Sequence, residues 1–244
     1  MSLLQIERMT KRFGGLIAVS DMNAEIHDGE IVGLIGPNGA GKTTVFNCIA
    51  GFYQPDEGRV LFKGSSLSGS NTTDICRSGL ARTFQIVRPF GDLNVLENAM
   101  VGSFLRYRSH DKAEQKAHEV LKRVGLEHLE SMLAKNLTLG HRKRLEMARA
   151  LATEPSLLLL DEVMAGLTPV EVDGALDLIR KIKCSGVTIL IIEHVMRAIM
   201  NICDRVLVLD QGVMIAQGTP TEIAKDETVI KAYLGKEYKI ARDN

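Results

Sequence analysis

The stretch GPNGAGKTT at Gly36–Thr44 carries the residue types of a phosphate cradle at the spacing such a cradle needs. Gly36, Gly41, Lys42 and Thr43 fill the fixed positions of G-x-x-x-x-G-K-[ST], with Pro37, Asn38, Gly39 and Ala40 between them. Glycines let the backbone turn its N–H groups inward around phosphate oxygens, and a helix beginning at Lys42 adds its positive end. Lys42 supplies a point charge for the β- and γ-phosphates, and the Thr43 hydroxyl is suited to ligating Mg2+. The competing reading is a glycine-rich turn that matches by chance, which a strand before it and a helix after it argue against.

A second constellation lies in SLLLLDE, where four leucines bury a central strand and bring Asp161 and Glu162 to its carboxyl end. Open α/β sheets bind ligands at that edge. Asp161 would hold Mg2+, directly or through water, and Glu162 could polarise an attacking water. A hydrophobic strand ending in two acids is common, so the pair gains its force from the upstream loop. TILIIEHV ends another apolar strand with His194 at the corresponding end. A lone histidine is more often structural than catalytic, but this placement makes a γ-phosphate contact natural. Gln85, in RTFQIVRPF, stands where the chain leaves the α/β core, and the residues alone read equally well as a solvated loop glutamine.

The elements that must position these groups follow from periodicity. LLQIERM and IAVSDMNAEI alternate as half-exposed antiparallel strands do, whereas Ile31–Ile35 reads as a strand buried on both faces. A helix is expected over Lys42–Ala50, and GRVLFKG reads as an edge strand. From about Asn94 to Ala152 the apolar residues recur three and four apart, predicting an all-helical segment whose first helix is capped by Asn94. Strand signals return in SLLLLDE and VTILIIEH around the helical PVEVDGALDLIRKIK, an alternation that implies a parallel sheet with right-handed crossovers. RVLVLDQGVMIAQG predicts two strands around Asp210–Gly212, followed by a short helix ending near Gly235.

Composition narrows the functional classes. The 244 residues hold 30 Lys+Arg and 30 Asp+Glu, so no global field draws the chain to nucleic acid or an acidic membrane. No apolar run approaches the roughly 20 residues of a spanning helix, and MSLLQIERMTKRF lacks a signal-peptide core. Cys48, Cys76, Cys184 and Cys203 form no ligand-like cluster and are expected as buried thiols in a reducing compartment. In NLTLGHRKRLEMARAL the basic Arg142, Lys143, Arg144 and Arg149 load a helix whose start favours anions. Leu145, Ala148, Leu151 and Ala152 predict its buried stripe. Glu146 stands at pairing distance from Arg142, Lys143 or Arg149, which reads as a solvated, partly paired face.

Taken in order, these motifs resemble those of the ATP-binding subunits of ABC transporters, over essentially the whole chain. The match puts Walker A at Gly36–Thr43, the Q-loop at Gln85, the signature at Leu137–His141, Walker B at Leu157–Asp161 with Glu162 after it, and the H-loop at His194. FGGLIAVSD, GLIGPNGAGKTTVFNCIAGFY, RTFQIVRPFGDLNVLENAMVG and VIKAYLG are similar to the branched-chain amino acid importer group, whose near relatives serve urea and short-chain amides.

The resemblance implies a P-loop NTPase of the ABC ATPase type: an α/β fold with a mixed parallel sheet core, an antiparallel β subdomain and an inserted α-helical subdomain. The implied boundaries are a nucleotide-binding core at 1–85 and 155–244 around a helical subdomain at 86–154. ATP and Mg2+ are the implied cofactors. Phe13 would stack on adenine, Gly36–Thr44 would surround the phosphates, and Thr43, Gln85 and Asp161 would serve the metal. Lys42, Gln85, Glu162 and His194 are the implied catalytic residues. Two such subunits, identical or paralogous, would dimerise head to tail, with Thr138 and Gly140 of one signature facing the ATP of the other. The helical segment would dock on transmembrane permease subunits at the cytoplasmic face of the cell membrane. A periplasmic or extracellular solute-binding protein would act indirectly, and no nucleic acid is implied.

The chain also departs from the family pattern. The usual L-S-G-G-Q reads Leu137-Thr138-Leu139-Gly140-His141, Val163 replaces a proline, and Thr168 stands for a common aspartate. None of these removes a metal ligand or general base, so an active ATPase is expected. An ABC ATPase of DNA repair or translation would usually carry coiled-coil insertions or two cassettes, and a non-hydrolysing regulator is at odds with Glu162 and His194. Export shares the same ATPase engine.

Overall fold

The computed structural model describes residues 2–85 and 87–234, in two compact units, Met1–Asn71 with Leu190–Asn244 and Thr72–Ile189. In chain order come β1 (Ser2–Phe13), β2 (Leu16–His27), β3 (Ile31–Ile35), α1 (Lys42–Ile49), β4 (Glu57–Phe62) and β5 (Ser65–Ser66). The second unit follows with α2 (Thr72–Ser78), β6 (Leu80–Arg82), α3 (Val95–Ser103), α4 (His110–Val124), α5 (Leu139–Leu151), β7 (Leu157–Asp161) and α6 (Pro169–Cys184). β8 (Thr188–Ile192) crosses the boundary, and the first unit closes with α7 (Met196–Ile202), β9 (Arg205–Asp210), β10 (Val213–Gly218), α8 (Pro220–Ile223) and α9 (Glu227–Leu234). The helix expected to end near Gly235 is α9, and Gly235 itself lies outside the described residues.

In the first unit β1 pairs antiparallel with β2 and with β4, setting Leu4 opposite Ile26 on one side and Phe62 on the other. All three are buried, which is the apolar face that the alternation calls for. β4 is not the edge strand expected from GRVLFKG, because the two residues of β5 pair outside it. So short a strand leaves no periodicity to read. β3 is buried at every position and runs parallel to β9, with Leu34 beside Leu207, while β10 returns antiparallel.

In the second unit β7 is likewise buried throughout and runs parallel to β6. Neither β6 nor α2 was legible from the sequence, since each is too short to establish a period. Asn94 caps α3 as expected, accepting from the Glu97 N–H at 2.8 Å while the Glu97 carboxylate accepts from the Asn94 N–H at 2.7 Å. The fully buried Asn98 then fixes the preceding loop: its amide donates to Phe90 O and Asn94 O and accepts from the Phe90 N–H. Phe90 O and Asn94 O also accept backbone N–H groups, from Leu93 and Asn98, so the side chain of Asn98 adds a second bond to each and supplies the acceptor for the Phe90 N–H. Among the described residues no helix is long and apolar enough to cross a membrane.

The thiols depart from expectation. Cys48 and Cys203 are buried, but Cys76 is half-buried and Cys184, on the last turn of α6, is exposed. The helix period puts Cys184 off the stripe formed by Leu178, Ile179 and Ile182.

Candidate functional site

The loop after β3 turns through glycines at positions where a side chain has no room. At Gly36 an added Cβ would stand 2.0 Å from Leu209 O, and at Gly41, with φ +102°, it would stand 2.3 Å from Ala18 O. These close approaches explain the two fixed glycines of the motif better than flexibility alone does. Lys42, only 6% exposed, donates its ammonium to Gly36 O at 2.7 Å and Pro37 O at 2.9 Å. The charge is thereby held within the loop. Pro37, Asn38, Gly39 and Ala40 form the turn, Thr43 presents its side chain at the surface, and Thr44 follows in the first turn of α1. Tyr233 of α9, which sequence reasoning passed over, bonds the Gly36 backbone through its hydroxyl.

Phe13 ends β1 with 42% of its surface exposed, so it is not a core residue of the first sheet. Its ring meets Tyr53 edge-on at 5.1 Å, and the Lys11 ammonium lies 5.5 Å from its centre. Its exposure leaves aromatic surface open to solvent, which stacking on a planar group would require. His194 is exposed just beyond β8, next to the buried Glu193.

The second unit brings Asp161, Glu162 and Gln85 together. β7 delivers Asp161 almost sealed from solvent, where the Arg82 guanidinium donates to its carboxylate at 2.7 Å. The Thr83 hydroxyl accepts from the Asp161 N–H at 3.2 Å. Neither partner was anticipated, because only the parallel pairing of β6 with β7 places Arg82 beside Leu159. Glu162 adopts a left-handed backbone with φ +48°, unusual for a residue with a Cβ and of a kind that clusters at functional sites. The Gln85 amide donates to its carboxylate at 2.6 Å, so of the two readings the residues left open, the exposed glutamine is paired with the acid.

The basic residues of α5 are where the structure differs most from a solvated face. Lys143 and Glu146 are 5% and 8% exposed. Lys143 donates to Glu162 O at 2.9 Å, Arg142 to Lys135 O at 2.6 Å, and Arg144 to Val124 O, the last carbonyl of α4, at 3.1 Å. Helix-terminal carbonyls lack intrahelical donors and carry the negative end of the dipole, so cations settle there. Glu146 pairs with Arg149 at 3.1 Å and also accepts from the Phe84 N–H; burial raises its pKa above the ordinary carboxylate value. The positive charge is thus internal bracing of the helical segment. The stripe of Leu145, Ala148, Leu151 and Ala152 is buried as expected.

At the start of α5 the exposed Thr138 is the N-cap, its hydroxyl accepting from the His141 N–H at 3.3 Å and retaining its own proton to donate. Gly140 is buried against Glu171, whose Oε1 would stand 2.6 Å from an added Cβ. Thr168 caps α6 in a capping box with Glu171. Through Lys143, the helix that begins at this turn is fastened to the backbone of Glu162.

The sequence pattern described as ABC transporter matches residues 19–165, and that described as branched-chain amino acid ATP-binding cassette transporter matches residues 213–239. The high-affinity branched-chain amino acid transport ATP-binding protein LivG of Escherichia coli (strain K12) is 42% identical, over 96% of this chain and 98% of the relative. The lipopolysaccharide export system ATP-binding protein LptB of the same strain is 36% identical over 98% and 100%. The crystal structure of the ADP conformation of an ATP-binding cassette of an ABC transporter superposes with a TM-score of 0.88 at 31% identity, covering 96% of this chain and 99% of that one.

Proposed function

The chain belongs to the ABC transporter family, and we propose that it is the ATP-binding and ATP-hydrolysing subunit of an importer for branched-chain amino acids or a related small solute. The observation that carries this reading is the 42% identity to LivG over nearly the full length of both chains. The match of residues 213–239 to the branched-chain pattern supports it independently. The lower identity to LptB leaves export as the less favoured reading.

Roles follow residue by residue. Gly36–Thr44, with Pro37, Asn38, Gly39, Ala40 and Gly41 in the turn, bind the phosphates of ATP, with Lys42 supplying charge and backbone N–H groups of the loop supplying donors. Phe13 stacks on adenine. Glu162 holds and polarises the attacking water, Gln85 orients Glu162, and His194 contacts the γ-phosphate. The Thr43 hydroxyl, the Asp161 carboxylate and the Gln85 amide oxygen are hard donors of the kind Mg2+ takes, the amide nitrogen of Gln85 being engaged by Glu162. Mg2+ would neutralise charge on the β- and γ-phosphates.

Thr138 and Gly140 act on the ATP of a second ATP-binding subunit, identical or paralogous, in a head-to-tail dimer. A nucleotide-binding core at 1–85 and 155–244 carries a helical subdomain at 86–154, which docks on transmembrane permease subunits. The chain then sits at the cytoplasmic face of the cell membrane, and a solute-binding protein acts through the permease. Purification from membranes tests this: recovery with permease subunits and ATP-driven leucine uptake after reconstitution are expected. Recovery with RNA or DNA in a salt-sensitive complex would overturn it.

A further inference from the structure

A cavity of about 250 Å³ lies within the second unit, between α5, the turn after α4 and the start of α6. Its lining combines three chemistries in one enclosure. Arg144, Lys143 and the rings of His128 and His141 bring cationic and imidazole groups to the lining. Glu171 supplies a carboxylate, and Met147, Val163, Leu167 and Ala175 supply apolar surface.

The polar groups are held in place before any ligand arrives. The Arg144 guanidinium sits between two glycines: an added Cβ would come within 3.2 Å of it at Gly125 and 3.0 Å at Gly174. Val124 O takes one of its N–H groups, and the planar group keeps further donors for a carboxylate. Glu171 is fixed through Oε2, which accepts from the Thr168 N–H and hydroxyl at 2.9 and 2.8 Å, while Oε1 lies beside Gly140. The two imidazoles meet edge to face at 6.4 Å. Burial lowers the pKa of His141, so its ring is neutral at pH 7 and able to donate or accept a hydrogen bond.

A fixed cation, a fixed carboxylate and an aliphatic patch in a small enclosure are complementary to a zwitterion with a branched apolar tail. We propose that this cavity binds a free α-amino acid with an aliphatic side chain. The ligand carboxylate meets Arg144 and His128, its ammonium meets Glu171 Oε1, and its side chain packs on Met147, Leu167 and Ala175. Val163 directly follows Glu162, and Gly140 belongs to the turn that starts α5, so an occupant touches both segments that the proposed ATP chemistry uses. The inference goes beyond the transport reading and does not depend on it.

Isothermal titration of the full-length chain with leucine tests the site, with isovalerate, isoamylamine and inorganic phosphate as comparison probes. Leucine is expected to bind saturably, and each comparison probe about 10-fold or more weakly, the scale of a lost charged partner. Ala175→Met, which fills the cavity, is expected to weaken leucine by about 10-fold or more while ATP affinity stays unchanged. His128→Ala, at an exposed position, is expected to weaken leucine about 3- to 10-fold and serves if the first variant does not fold. Absent leucine binding, leucine binding unchanged in both variants, or phosphate or isovalerate bound as tightly as leucine would overturn the proposal. Leucine binding by a chain whose transporter carries another solute would leave the cavity standing and remove the solute assignment. Leucine transport by a complex whose ATP-binding subunit ignores free leucine would do the reverse.

Discussion

Arg82 and Asp161 form a buried ion pair, N–O distance 2.7 Å, with side chains only 8% and 3% exposed. The acid proposed to serve Mg2+ therefore has a resident cation of its own. Removing one member of a buried pair strands the other charge, at about 3–5 kcal/mol. Arg82→Met is expected to lower the urea unfolding free energy on that scale. Arg82→Lys, which keeps the charge but loses the fork geometry, should lose less. Equal stability of Arg82→Met and the unmodified chain would show that the pair contributes nothing.

Glu146 gives a pH signature. Its carboxyl is raised above the ordinary 4.5 by burial, partly offset by Arg149 and by the Phe84 N–H. The folded state thus holds this proton more tightly than the unfolded chain does. The stabilisation that follows is complete below about 4.5 and is lost as pH rises through the raised folded value. Glu146→Gln should remove this loss, so its urea midpoint falls less than the unmodified chain's between pH 4.5 and neutrality. Identical slopes would contradict the assignment.

The thiols should separate by reactivity. Burial pushes Cys48 up to about 11, and Cys203 is also enclosed, while Cys184 lies at the surface. The thiolate is the reactive form. Mass mapping after brief iodoacetamide treatment near pH 8, below the Cys48 value of about 11, is expected to find Cys184 labelled first. Cys48 should stay unmodified until the chain is denatured. Labelling of Cys48 at the rate of Cys184 would contradict the packing.

What the sequence made legible was whatever short-range spacing decides. The phosphate loop is one contiguous run, the Asn94 cap needs only Glu97 three residues on, and the stripe of α5 follows from its own period. The partners of the chemical groups were hidden because they come from distant stretches. Arg82 finds Asp161 through strand pairing, and Lys143 finds Glu162 O through the packing of α5 against the end of β7. The basic residues of α5 misled for the same reason: Arg142, Lys143 and Arg144 donate to backbone carbonyls of other segments, which no residue type announces.

In the proposed ATP hydrolysis, Glu162 is the group that activates water. Steady-state phosphate release by Glu162→Gln, measured beside ATP binding, tests it most directly. Turnover is expected to fall by about 100-fold or more, the scale of a lost general base, with ATP still bound and the dimer favoured. Phosphate release at the unmodified rate would contradict it.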